Sequence, residues 1–496
     1  MKIEIIGKLK DRSEGELLLV PFWQGKKQAE IAVADPYLKG VIDAPIHAGD
    51  FLGKESDLEI LYPQEKIEKR IILIGLGEEE KITVEKLRHA YGAAGQLARK
   101  KRLTRIHLLL PKSKKISSEN SIRGILEGLL AVNYSYDFLK GEESKKETPP
   151  LFKTIGLIDG SKKEVDQAKD LVTIYEGVYF CRNLINGNAD DITPKRLAEE
   201  AKKIAKNHSH VEAIIFDKKR IIKEKMGLLL AVNRGSAIDP AFIILKYRGD
   251  HRSKDHTVIV GKGVTFDTGG LNLKPTGFME DMKCDMSGAA VALATIATAA
   301  KLGLKINLTA VVPSTDNSIS STSYKPGDVY VGYSGKTVEI GNTDAEGRLI
   351  LADALAYTVK NLKPNRIIDF ATLTGACIVA LGQETAGLMS NNDNLVKHLK
   401  KAGDATYERV WQLPLFKEYR DQLKSDFADI NNNGGREAGA ITAAIFLQEF
   451  VGDVPWAHLD IAGVAYAGKN KKHQPKNATG FGVRLMIEFL RGMNES

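Results

Sequence analysis

Cysteine is scarce, with only Cys181, Cys284 and Cys377 among 496 residues. An odd, sparse set builds no disulfide framework and fits a reducing cytoplasm, which is the expected location. No apolar run approaches the ~20 residues of a membrane-spanning helix. The longest small-apolar stretch, Gly288–Ala300, contains threonines and stops at Lys301. The leading MKIEIIGKLKDRSEGE carries charges every few residues and no hydrophobic segment, so no signal peptide and no membrane partner are expected. Several catalytic signatures are also missing. There is no His-Glu-x-x-His pair and no Gly-x-Ser-x-Gly elbow. IGLGEEE (Ile74–Glu80) lacks the third glycine of a dinucleotide fingerprint, and Tyr330 stands where a phosphate loop ending GYSGKT needs its first glycine. Both read as turns.

What is present suits a folded chain. Hydrophobic residues make up 43% and charged residues 27%, with a mean hydropathy of −0.20, which argues against global disorder. At ~150 residues per domain the length suggests three domains, or two if one is large. Seventy-one basic against 63 acidic residues give a net charge of +8. The basic residues are spread along the chain, so nucleic-acid binding stays a minority reading.

Strand and helix patterns alternate throughout. In the first part Lys69–Ile74 reads as a buried strand, Val84–Lys100 as a helix, Arg105–Leu110 as a strand and Ser121–Leu139 as a helix. Lys140–Pro150 is a polar break resembling a linker, and Lys162–Leu184 reads as a helix joining two halves. Thr193 and Pro194 form a helix start. Beyond lie strands at Phe242–Tyr247, Thr257–Val260, Asn307–Val312 and Arg366–Phe370, and helices at Met286–Lys301, Gly347–Lys360 and Ala438–Phe450. The expected architecture is two-domain α/β. A smaller N-terminal α/β domain (1–160) is followed by a connecting helix and linker (161–190). A larger catalytic α/β domain (191–496) has a mixed, largely parallel central sheet. In such sheets ligands collect where strands end and helices begin.

Two segments at such positions carry chemistry: VGKGVTFDTGGLNLKPTGFMEDMKCD (Val260–Asp285) and NTDAEGRL (Asn342–Leu349). They hold four acids, Asp267, Asp285, Asp344 and Glu346, among glycines that let the backbone turn tightly. Singly, Asp285 and Asp344 read as helix caps, Glu346 as a first-turn acid and Lys262 and Lys274 as solvated loop lysines. Together the acids repel, each close pair by about 4 kcal/mol at an effective dielectric of ~20. Two divalent cations would cancel their charge. Oxygen donors without histidine or cysteine suit magnesium, manganese or, less exclusively, zinc. Without a histidine base, Arg348 at a helix start offers an anion site, and Lys274 can stabilise charge on a carbonyl oxygen. Lys262 beside metals can shed its proton and become a ligand.

At these residues the sequence resembles the leucyl (cytosol) aminopeptidases. NTDAEGRL is that family's signature, and Lys262, Asp267, Lys274, Met282 and Asp285 match its upstream pattern. YKPGD (Tyr324–Asp328), ATLTGA (Ala371–Ala376), NGGREAGAIT (Asn433–Thr442), WAHLDIAG (Trp456–Gly463) and TGFGVRL (Thr479–Leu485) extend the match from about Asn183 onward. The resemblance implies a metallo-aminopeptidase that removes apolar, Leu-like residues from peptides with a free N-terminus. It implies two divalent ions per subunit (manganese or zinc, with magnesium a further candidate), a bicarbonate general base and a homohexamer. By residue, it implies that Asp267 and Glu346 bridge the metals, Asp344 completes the exchangeable site, and Lys262 and Asp285 complete the tighter one. Lys274 would polarise the carbonyl and Arg348 would hold the bicarbonate. Asp285 would also meet the substrate's amino group, alongside the substrate contacts Met282, Thr372 and Leu373. Asp316–Asn317 departs from the family's Glu-Asn, with a structural effect at most expected. A DNA-binding regulator on the same fold and a Cys-Gly type dipeptidase are the alternatives.

Overall fold

The computed structural model describes residues 1–9, 15–33, 38, 40–63, 68–469 and 476–493. The chain divides into two compact units, Met1–Tyr175 with Lys469–Lys476, and Glu176–Gly468 with Asn477–Ser496. Among the described residues no helix is long and apolar enough to cross a membrane.

The first unit is built on a seven-stranded sheet. Its central strand, Gly15–Gln24, is almost wholly buried and pairs in parallel with Glu68–Gly75 and Arg105–Leu108. Strands buried on both faces need continuous apolar runs, which Leu17–Val20 supplies. The helix Val84–Lys100 forms as its pattern predicts, with Thr83 Oγ1 accepting from Lys86 N at 3.2 Å. The next helix spans Ser118–Val132, shorter than the periodicity suggests. Asn133 ends it, because its amide turns to the backbone of Phe152, accepting from Phe152 N at 2.6 Å. A side chain that offers the backbone another partner competes with helix continuation. The polar break beyond contains a short helix, Glu142–Glu147.

The second unit has a nine-stranded sheet. Its spatial order is Val410–Gln412, Ala386–Ser390, Trp456–Asp460, Arg366–Ala371, His256–Gly261, Asn307–Asn317, Ala241–Arg248 and Val211–Phe216, with Gly263–Asp267 beside Asn307–Asn317. The central pairings are parallel, while Ala241–Arg248 runs antiparallel to both its neighbours. The expected mixed, largely parallel sheet is therefore present. Asn307–Asn317 runs five residues past its apolar part because Ser314–Asn317, though polar, stay buried beside Gly263–Asp267.

Two helices bring the chemistry to the sheet. Ser287–Leu302 is nearly all small and apolar and buries most of its length. It approaches the sheet so closely that a Cβ on Gly288 would lie 2.0 Å from Phe370 O and 2.7 Å from Lys262 N. Glu346–Tyr357 is buried along its whole first two turns and packs in the main apolar core with Val260, Val311 and Ile367. A single wider turn, Thr358–Leu362, follows it.

Gly288→Ala is expected to lower stability by about 1–3 kcal/mol, the usual cost of overpacking. The thermal unfolding midpoint of the variant measures this, and a midpoint equal to that of the parent would show that helix and strand have room to part.

Candidate active site

Most of the chemical side chains leave a strand end or a helix start on one edge of the second sheet, and Lys274 lies in the loop that follows Asp267. Lys262 follows His256–Gly261, and its backbone is held on both sides: Lys262 N donates to Phe370 O at 3.0 Å, and Ala289 N donates to Lys262 O at 2.9 Å. Asp267 closes Gly263–Asp267. Its Oδ1 accepts from Gly269 N and from Asn317 Nδ2, both at 2.8 Å. The chain then folds back through Gly269 (φ +86°), where a Cβ would meet Asn272 O at 2.5 Å. No other residue fits that turn unstrained. Lys274 N returns to Thr268 O at 3.0 Å, which aims the Lys274 side chain back over Asp267.

The Asn342–Leu349 segment is pinned from outside itself. Asn432 accepts from Gly341 N and Asn342 N and donates to Asn342 O at 2.8 Å. Thr343 Oγ1 donates to Gly269 O at 2.7 Å, and Tyr324 donates its hydroxyl to Thr343 O at 2.6 Å. These contacts clamp the two distant loops together. Asp285 lies in a tight helical turn, Met282–Met286, that feeds Ser287–Leu302.

The four acids converge on the two lysines. Lys262 Nζ lies 2.7 Å from Asp285 Oδ1, 2.8 Å from Glu346 Oε1 and 3.0 Å from Thr372 O. Lys274 Nζ lies 2.8 Å from Asp267 Oδ2 and 2.5 Å from Asp344 Oδ1. One oxygen each of Asp267, Asp344 and Glu346 lies within 4.8 Å of the others. The capping alternatives fail, since the helices starting at Ser287 and Glu346 have no side-chain cap. The solvated-lysine alternative fails for Lys262, which is 2% exposed.

Burial dominates the electrostatics. It pushes the Asp267 carboxyl up to about 6, with the Glu346 charge adding to the shift. Burial and Glu346 also raise Asp344, and burial raises Asp285 well above the carboxylate range despite Lys262. Glu346 is the exception. Burial would raise it, but Lys262 and Lys274 together hold it low. Burial also opposes the lysine charges, yet the surrounding carboxylates outweigh it and keep both lysines above their ordinary range. Burial pushes Arg348 down to about 10, against the opposing pull of Glu346 and Asp460.

Among the described residues, three carboxylate oxygens of the cluster, Asp285 Oδ2, Asp344 Oδ1 and Glu346 Oε2, are buried without a hydrogen-bond partner; of these only Asp344 Oδ1 meets an ammonium, that of Lys274. Each such orphan costs about 1–3 kcal/mol. An oxygen-rich donor set with unspent lone pairs fits divalent cations.

The remaining expected residues lie around the cluster. Thr372 Oγ1 donates to Asp285 Oδ1 at 2.7 Å. Leu373 N donates to Asp460 Oδ1 at 3.1 Å, and Met282 begins the turn that carries Asp285. Arg348 is buried in the first turn of its helix, with Nη1 donating to Asn432 O at 2.8 Å. Sequence reasoning missed Asn432, Thr343, Tyr324 and Asp460, and gave Asn317 no part in the site. The available signals were the matched motifs that contain Tyr324, Thr343 and Asp460, and the run of polar residues ending an apolar strand at Asn317.

Comparison with known proteins agrees with this geometry. Residues 179–487 match the model of the cytosol aminopeptidase family, catalytic domain, and residues 19–143 match the model of its N-terminal domain. A "Probable cytosol aminopeptidase" of Protochlamydia amoebophila (strain UWE25) is 50% identical over 487 residues, covering 98% of each chain. One from Chlamydia felis (strain Fe/C-56) is 46% identical, covering 97% of this chain and 96% of that one. Among solved structures, the bottromycin maturation enzyme BotP superposes with a TM-score of 0.85 at 28% identity, over 97% of this chain and 100% of that one. A second BotP structure, in complex with Mn, gives the same score and covers 99% of that chain. The chain belongs to the cytosol aminopeptidase family and is a metallo-aminopeptidase, a peptide hydrolase.

Proposed function

We propose that the enzyme releases apolar, preferentially leucine-like, N-terminal residues from peptides at a centre of two divalent ions. The observation that carries this is the convergence of four largely buried carboxylates with two oxygens left unpaired. In this reading Asp267 and Glu346 would serve both ions, Lys262 and Asp285 would complete the tighter site and Asp344 the exchangeable one. Bound there, the ions would lower the pKa of a water and polarise the scissile carbonyl. Manganese is a candidate because the BotP complex contains Mn; zinc and magnesium are the others. Lys262 fits as a nitrogen ligand because only carboxylates sustain its present charge, and cations placed among them would release its proton.

The protein's own groups supply the rest. Asp285 receives the α-amino group, which makes the enzyme an exopeptidase. Lys274 gives its ammonium to the negative charge that develops on the carbonyl oxygen, a role that acts mainly in the transition state. Arg348, buried and with no carboxylate at ion-pairing distance among the described residues, would hold a bicarbonate whose chemistry is that of a general base. Met282 faces the first side chain, with Thr372 and Leu373 along the peptide. The same proposal includes a homohexamer in the cytoplasm, an N-terminal domain at 1–160, a connector at 161–190 and a catalytic domain at 191–496. The three buried free cysteines suit a reducing compartment. No structural observation favours DNA regulation or Cys-Gly dipeptidase specificity.

Leucine amide should be hydrolysed and N-acetylleucine amide left intact, with chelation abolishing the first reaction. Equal cleavage of the two compounds would end the exopeptidase reading. Lys274→Ala is expected to lower kcat far more than it raises KM, because it removes a contact made in the transition state. A rise in KM alone would reassign Lys274 to simple binding. Asn317→Ala frees Asp267 to rotate and should weaken metal affinity about 10–100-fold. Calorimetric titration with manganese reads this directly, and an unchanged isotherm would remove Asn317 from the site.

A further inference from the structure

The opposite edge of the nine-stranded sheet holds a recess of about 380 Å³, lined by Lys246, Arg248, Asp250, His251, His256 and Leu362 among others. That volume lies in the range of small-ligand sites. The recess is remote from the metal ligands: His256 begins the strand that delivers Lys262, and Asn307 begins the strand that ends at Asn317.

The polar groups of the recess divide into two sets. The neutral ones are spent within the fold. Tyr247 donates its hydroxyl to Leu304 O at 2.8 Å, Asn307 Nδ2 donates to Ser253 O at 2.9 Å, and Asn361 Nδ2 donates to Tyr357 O at 3.0 Å. His256 Nε2 and Thr309 Oγ1 pair at 2.9 Å. The acids are fixed in place, although neutral hydrogen bonds leave Asp250 its charge. Asp250 Oδ1 accepts from Arg252 N and Ser253 N at 2.9 and 3.3 Å, and Asp255 forms a two-point pair with Arg366, both contacts at 2.7 Å. The cations are more weakly engaged. The nearest carboxylate to Lys246 Nζ is Glu212, at 4.0 Å. Among the described residues Arg248 has no carboxylate within ion-pairing distance.

Lys246 and Arg248 stand two residues apart on one strand, Ala241–Arg248, so both side chains leave the same face of the sheet. Two cations on one face, one without a close carboxylate and one held only at 4.0 Å, beside a concave wall of two imidazoles and a leucine, match a doubly charged head on a flat body. We propose that this recess is a binding site for a small phosphate monoester, with Arg248 and Lys246 on the phosphate and His251, His256 and Leu362 against the remainder. The paired cations favour a dianion over a carboxylate, and the fork of Arg248 suits phosphate oxygens. This site is independent of the peptidase reading and shares none of its residues.

The test is calorimetric titration of the manganese-loaded protein with phenyl phosphate and, separately, inorganic phosphate. One phenyl phosphate site per chain is expected, tighter than that for inorganic phosphate. Removing one charge-assisted contact, as Arg248→Gln or Lys246→Gln, should weaken it about tenfold or more. Lys246→Arg should keep the affinity. Leucine amide turnover should stay unchanged in all three variants. No uptake at millimolar phenyl phosphate would overturn the proposal. So would uptake that neither glutamine variant weakens, since the phosphate would then sit at the metals or Arg348.

Discussion

Everything at the active edge depends on one constraint: four acids sit together, most of them out of water. At contact distance each like-charged pair costs about 4 kcal/mol at an effective dielectric of ~20. The fold meets this cost in two ways. It threads two lysines among the acids, at 2.5 to 2.8 Å. It also holds Asp267, Asp285 and Asp344 ready to keep protons. Neither is complete, since two ammonium groups face four carboxylates and two buried oxygens stay unpaired. A cluster so arranged is unfavourable alone and becomes favourable with added positive charge. That property separates a metal centre from a structural ion-pair network, whose charges balance.

Holding such a cluster demands rigid surroundings, and here they are built from close backbone approaches. Gly261 and Gly288 let strand and helix meet, with no room for a Cβ at either position. Gly269 and Gly270 let the Asp267 loop turn under Thr343. Asn317 and Asn432 then tie side-chain amides to the two loops from elements distant in the chain. Repulsion among the acids is thus resisted in part by hydrogen bonds between neutral groups, Asn317 to Thr343 O and Asn432 to the backbone of Gly341 and Asn342, which do not weaken when the charge of the centre changes. The peptidase chemistry in turn depends on this, because a water and a carbonyl must meet fixed ligands rather than mobile ones.

The acids and lysines were legible in the sequence because they cluster in two short, glycine-rich segments at strand ends. The long amphipathic helix Val84–Lys100 and the Thr193 cap were legible for the same local reason. The supporting residues were not. Asn432 lies about ninety residues from the segment it clamps, and Asp460 87 residues from Leu373, so no local pattern points from one to the other. The strand Trp456–Asp460 alternates indole, imidazole and carboxylate on one face, and lacks the apolar run of a central strand. Its polar groups are buried through pairing across the sheet: Asp369 accepts from Trp456 Nε1 at 2.7 Å and pairs with His458 Nδ1 at 2.6 Å. Tertiary partners override the hydropathy signal there, as they do for Asn133, where a side-chain amide ended a helix whose apolar periodicity continued.

Net charge was equally silent, and the topology explains why. Parallel strands give a sheet two unlike edges. At the edge where they end, Asp267, the Asn342–Leu349 segment and the Thr372 loop gather negative charge around two lysines. At the edge where they begin, Lys246, Arg248 and Arg366 gather positive charge, of which Arg366 is closely matched by Asp255 and Lys246 only at 4.0 Å by Glu212. A chain-wide value of +8 averages over both. Because the strands that start among the cations are those that end among the acids, the two edges share one rigid element while presenting opposite demands to their surroundings. One edge calls for cations and the other for anions, and no composition count shows either.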